Sequence, residues 1–156
     1  MDINNQDAGA PFTILGTGGA RGVAAGTGDN TEALGVIVDM QAQDGLMSGL
    51  AFCAGEAVLT DTKGISLVEF KLEHGDAANL SDAVDVIVKA FTDIVVSSGG
   101  TTEQFAVKFN VDLTGIKRYW RLTATPDLDA VGTDTFHLGF GLAAIGDNSP
   151  VADGAD

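Results

Sequence analysis

Residues 104–113, Gln-Phe-Ala-Val-Lys-Phe-Asn-Val-Asp-Leu, decide the fold class. Phe105, Val107, Phe109 and Val111 fall on one side of an extended chain, and Gln104, Ala106, Lys108, Asn110 and Asp112 on the other. That period of two marks a half-buried strand. The same alternation runs through 66–75, where Val68, Phe70 and Leu72 interleave with Glu69, Lys71 and Glu73. It recurs in 135–144, where Phe136, Leu138, Phe140 and Leu142 face away from His137, Gly139 and Gly141. Residues 118–125 (RYWRLTAT) put Arg118, Trp120, Leu122 and Ala124 on one face, with Tyr119, Arg121 and Thr123 on the other. A Trp in register with Leu122 reads as a core residue.

Less regular apolar runs lie at 32–40, 45–54 and 85–96. Turn residues separate them at 43–45, 61–64, 74–82, 97–100, 113–115 and 126–134. Residues 77–91 are the one helix candidate, but Val86, Ile87 and Val88 are β-branched, so a polar loop followed by a strand is the better reading. The spacing therefore predicts an all-β domain of about eight antiparallel strands, a sandwich or a barrel, over residues 31–146. Residues 1–30 hold seven glycines and five alanines against four charged residues, and show no apolar period beyond PFTIL at 11–15. They read as a flexible arm, whose removal is expected to leave a folded domain. Residues 147–156 read as an acidic tail.

At 156 residues, 45% hydrophobic and 19% charged, the chain is large enough for one domain with a real core. Twenty-two acidic residues against eight basic ones give a formal charge of −14. A field of that sign repels phosphate backbones, so no nucleic-acid partner is expected. No membrane partner is expected either, because no apolar run approaches the ~18 residues that span a bilayer. The opening residues carry acids where a secretion signal would carry Lys or Arg, which leads to the expectation of a protein made in a reducing cytosol, or assembled there into something larger. Cys53, the single cysteine, sits in the apolar run LAFCAG and reads as a buried structural thiol.

Motifs for chemistry fail one by one. PFTILGTGGARG resembles a dinucleotide-binding turn, but the third glycine of G-x-G-x-x-G would fall on Arg21, and Gly26 and Gly28 break the helix that should follow. Two histidines, His74 and His137, and one cysteine cannot assemble a usual zinc set locally. The pairs Asp82/Asp85 and Asp127/Asp129 lie in or beside loops without EF-hand spacing. There is no G-x-S-x-G elbow. No catalytic residue, cofactor or metal is expected.

Residues 70–86 (FKLEHGDAANLSDAVDV) and 115–135 (GIKRYWRLTATPDLDAVGTDT) carry a resemblance. They are similar to the capsid cement, or head decoration, proteins of tailed phages, of the Bordetella-phage type. The likeness spans about residues 33–145 and is strongest at 70–86 and 115–125. It implies a jelly-roll-like β-sandwich on the outer surface of a virion, assembled as a homo-oligomer (dimer or trimer), bridging subunits of the major capsid protein without enzymatic activity. The expected contact residues are Phe12, Ile14 and Arg21 in the arm, His74, Asp76 and Asn79 in the loop, and Lys117, Arg118, Tyr119 and Arg121 at the start of the 117–124 strand. Two other readings share the fold class. One is a carbohydrate-binding module, which requires Trp120 to face solvent beside another ring; the other is a phage tail or fibre component.

Overall fold

The computed structural model describes residues 12–42, 46–129 and 132–146. They form nine strands and one 3-10 turn, Met40–Ala42, with no α-helix among them. The strands are β1 Phe12–Val23, β2 Ala33–Leu34, β3 Val38–Asp39, β4 Leu46–Val58, β5 Gly64–Gly75, β6 Val84–Val96, β7 Thr102–Asp112, β8 Tyr119–Leu128 and β9 Thr135–Gly146.

Two antiparallel sheets stack. Sheet A has the order β1-β9-β4-β7, and sheet B has the order β2-β8-β5-β6, with β3 also beside β8. β2 and β3 are two pieces of one interrupted strand, so each sheet is effectively four strands wide. The chain alternates between sheets except at the β5–β6 hairpin, which is jelly-roll order. The expected all-β sandwich is therefore present as two sheets and not as a barrel.

The core lies between the sheets. Trp120, Leu122 and Ala124 of β8 and Phe70 and Leu72 of β5 are fully buried; Phe105, Phe109, Phe136, Leu138, Phe140 and Leu142 meet them from sheet A. Phe70 packs edge-on against Phe109 and Phe140, with ring centroids 5.1 and 6.0 Å apart, a geometry in which the positive ring edge meets a negative face. Cys53 has no exposure, and burial pushes its thiol up to about 12, so it is inert packing.

Two expectations are corrected. The first concerns the arm. Residues 12–23 form β1, an edge strand of sheet A paired with β9 over Phe12–Leu15 and Gly18–Val23. Its glycines serve close packing, not flexibility. A Cβ on Gly18 would stand 2.4 Å from the Phe140 ring and 2.9 Å from the Gly35 backbone. Gly16 adopts a left-handed φ of +59°, and a Cβ there would stand 2.7 Å from Trp120. β1 thus lies directly on the aromatic core, and Val36 N–H donates to the Thr17 carbonyl to tie it to sheet B. Residues 1–11 of the expected arm, and the tail 147–156, lie outside the described residues.

The second correction concerns Val68, read as a core residue but 45% exposed. A β-bulge between Leu67 and Glu69, against β8, inserts one residue, so Leu67 and Phe70 both point inward and Val68 points out.

Candidate interaction surface

The ten expected contact residues divide between opposite sides of the sandwich. His74, Asp76, Asn79, Lys117, Arg118, Tyr119 and Arg121 gather at sheet B. Most of them are already occupied. Lys117 Nζ meets Asp76 at 2.8 Å, and Arg118 donates from Nε and Nη2 to Asp39, 2.9 Å at the closer pair. The Arg118 guanidinium also lies 4.9 Å above the Tyr119 ring. Arg121 pairs with the buried Glu73. His74 is half-buried, where its Nδ1 accepts the Lys117 backbone N–H at 3.1 Å. Asn79 accepts the Ser81 N–H within the loop, which is closed by Asp82 accepting the N–H groups of Asp76 and Ala77.

Beside this cluster Lys71 is ringed by Glu32 at 3.1 Å, Asp85 at 3.5 Å and Glu69 at 3.7 Å. Burial alone would lower the Lys71 ammonium, but the Glu32 hydrogen bond and the three carboxylate charges outweigh it and hold the group above its ordinary value. Thr123 is fully buried beneath this network and donates to Glu32. The outer side of sheet B is thus an internally satisfied ionic layer.

Three carboxylate supports are acid-sensitive, two beside this layer and one, Asp112, at the end of β7 in sheet A. Arg118, then the Gln41 N–H, hold Asp39 below the usual carboxylate range; the Asp76 and Ala77 N–H groups do so for Asp82, and Thr114 for Asp112. Each folded-state value is depressed, so each contributes stability above the ordinary range of about pH 4 and loses it as pH falls through the depressed value. The melting temperature, followed by circular dichroism, is expected to drop as pH is taken from about 4 to about 2. An unchanged profile over that window would contradict the assignment.

Ile14 and Arg21 lie on the other side, on the outer face of sheet A, and Phe12 begins β1 of the same sheet, opposite Ile145 in register. The register sets out this face in rows that cross all four strands. Val23, Thr135, Val58 and Thr102 form the first, and Arg21, His137, Glu56 and Gln104 the second. Gly19, Gly139, Ala54 and Ala106 follow. Gly141, Phe52 and Lys108 continue across three strands, beside a register break in β1. Ile14, Ala143, Leu50 and Asn110 come next, and Ser48 and Asp112 close the face.

Two properties set this face apart. It carries two cations, Arg21 and Lys108, and two anions, Glu56 and Asp112, so it is neutral in a chain of charge −14. Among the described residues neither Arg21 nor Lys108 joins an ion pair, whereas Lys71, Lys117, Arg118 and Arg121 all do. Its middle is floored by glycine and alanine, with a shallow apolar hollow of about 750 Å³ bordered by Ile14, Leu50, Phe52 and Ala143. Small side chains lose little rotamer freedom on docking.

Four strands about 4.8 Å apart and some twelve residues long, at about 3.3 Å each, present roughly 700–800 Å², the area one partner buries in a standard protein interface. This row pattern was not legible in the sequence, because it depends on which strands are neighbours; its one signal was the run of small residues alternating with phenylalanine and leucine in 135–144.

Trp120 has no exposure, so the aromatic strip that the carbohydrate-binding reading required is not formed by it. Among the described residues no group of three or more His, Cys, Asp or Glu side chains is arranged to hold a metal ion, and no helix is long and apolar enough to cross a membrane. No protein-family model matches the chain, and no curated protein does, so the likeness of residues 70–86 and 115–135 to cement proteins rests on those motifs alone.

Proposed function

We propose that this chain is a structural decoration protein of a tailed-phage head, which lies on the outer surface of the shell with the outer face of sheet A against the major capsid protein and braces neighbouring capsid subunits. One observation carries the reading: a neutral face floored by small residues, of standard interface size, on an otherwise strongly acidic molecule. Charge-poor faces with small side chains suit burial against another protein, while the ionic outer side of sheet B suits water. The protein works by adhering and uses no cofactor. Many symmetric copies turn a modest single contact into a lasting hold.

The test uses heads stripped of their native decoration and purified full-length protein, with occupancy measured by co-sedimentation. Saturable binding is expected. Leu50→Asp places a charge in the apolar hollow of a half-exposed site, and is expected to weaken binding about tenfold or more, the equivalent of about 1.4 kcal/mol, with an unchanged melting temperature. Undiminished occupancy of the variant would overturn the assigned face. Binding to tails or fibres instead of heads would favour the component reading that shares this fold class.

A further inference from the structure

In a chain with 22 acidic residues and eight basic ones, a cation left without an internal partner is the exception. Lys71, Lys117, Arg118 and Arg121 are each held by carboxylates of the same chain. Arg21 and Lys108, on the outer face of sheet A, are not, and their surroundings explain why. Lys108 lies on the edge strand β7 opposite Phe52, with Ala106 and Asn110 beside it on the same face. The next anion along β7, Asp112, accepts from the Thr114 N–H and hydroxyl.

Arg21 is exposed on the edge strand β1, directly opposite His137 of β9, which is exposed as well. Glu56 of β4 lies beyond His137, two strands from Arg21, or about 10 Å at sheet spacing. Arg21 and His137 also wall a cleft of about 460 Å³ between β1 and the segment 28–33. The one anion among the described residues of that wall, Glu32, is engaged by Lys71 at 3.1 Å and by the Thr123 hydroxyl at 2.9 Å. Thr31, also on the wall, gives its hydroxyl proton to the Asp29 carbonyl. The side-chain donors left at the cleft are the Arg21 guanidinium fork and the His137 ring. That set matches a carboxylate, which takes two parallel N–H bonds from Arg and a third from an imidazole.

We infer that the sheet A face receives an acidic protein segment, with one carboxylate held between Arg21 and His137 and a second at Lys108. Arg21 and Lys108 stand three strands and four residues apart, which places the two carboxylates roughly 20 Å from each other. A nucleic acid, with a charge every few ångströms, meets the −14 field in full, whereas two spaced carboxylates meet the two uncompensated cations. The inference names the partner chemistry of the face assigned above and rests on that reading. Recognition of acid is measurable without any shell, so the two fail separately.

Isotope-labelled full-length protein is titrated with a capped hexaglutamate peptide and followed by NMR. Saturable shifts are expected at the Arg21 Nε–H, the His137 ring and Lys108 Cε, in the submillimolar to millimolar range, with a response about tenfold weaker or less from capped hexaglutamine. Arg21→Glu is expected to abolish the response at His137 and leave that at Lys108. Lys89→Glu makes the same change of net charge on β6 of sheet B and is expected to leave both. On stripped heads, Arg21→Glu and Lys108→Glu are each expected to weaken attachment about tenfold or more, and Lys89→Glu by about twofold at most. Thermal unfolding establishes that each variant is folded, and the titration of the unaltered protein stands whatever the variants do. Absence of saturable shifts at Arg21 and His137, or an equal response to hexaglutamine, would overturn the inference. Peptide binding at these residues without attachment to heads would uphold the acid-binding site and remove the capsid reading.

Discussion

Deleting residues 1–30 is expected to leave no soluble, folded protein. The deletion removes β1 and with it the ten residue pairs that join β1 to β9. Trp120 and Phe140 lose the backbone that lies against them at Gly16 and Gly18. Re-exposing a large apolar side chain costs about 1.5–3 kcal/mol, and two such rings together with the lost strand pairing consume much of a typical stability of about 5–15 kcal/mol. The loss also turns β9 into an open apolar edge, with Phe136, Leu138 and Phe140 uncovered, which invites aggregation. Expression trials with the soluble fraction read on a gel are sufficient to check this. A soluble, cooperatively unfolding product would restore the flexible-arm reading. The milder Gly18→Val variant tests the same packing, since its side chain has no room beside the Phe140 ring.

Trp120→Ala is expected to destabilise the fold by about 3–5 kcal/mol, the usual cost of emptying a buried aromatic site. For a domain of this size that is a fall in melting temperature of very roughly 6–20 °C. Trp120 is the largest fully buried side chain, its Nε1–H points at the Met40 sulfur 3.0 Å away, and its ring carries Gly16. The variant also separates core duty from ligand duty. A core residue gives a lower melting temperature and a loss of near-ultraviolet signal; a sugar-stacking residue would give an unchanged melt and lost glycan binding.

The parts of the fold legible in the sequence were those with local alternation. In β7 and β9 every inward residue from Phe105 to Val111 and from Phe136 to Leu142 is buried or half-buried, because a regular strand repeats its facing every second residue. β5 was misread at Val68, since a bulge is set by the partner strand β8 and leaves no mark in a period-two count. β1 was misread altogether. Beside Leu15 and Ala20 its inward positions include Gly16 and Gly18, and a glycine that makes room for a ring looks, in sequence, like a glycine that confers freedom; the rings concerned, Trp120 and Phe140, lie more than a hundred residues away.

The expected contact residues fared in a similar way. The basic cluster at 117–121 was visible as a cluster, but its partners Asp39, Glu73 and Asp76 are brought in by β3 and by β5 and the loop after it, so its charges are spent within the fold. Ile14 and Arg21 were named for the wrong reason, as members of an arm, and instead belong to the outer face of sheet A. That face emerges only when β1, β9, β4 and β7 are set side by side.

The most direct test of the account is a cryo-EM reconstruction of heads incubated with the full-length protein. A density of this sandwich is expected at regular positions on the outer shell, with the strands of sheet A toward the capsid and the ionic layer of Lys71, Glu73 and Arg121 toward solvent. Bare shells at saturating protein, or a density docked through sheet B, would contradict it.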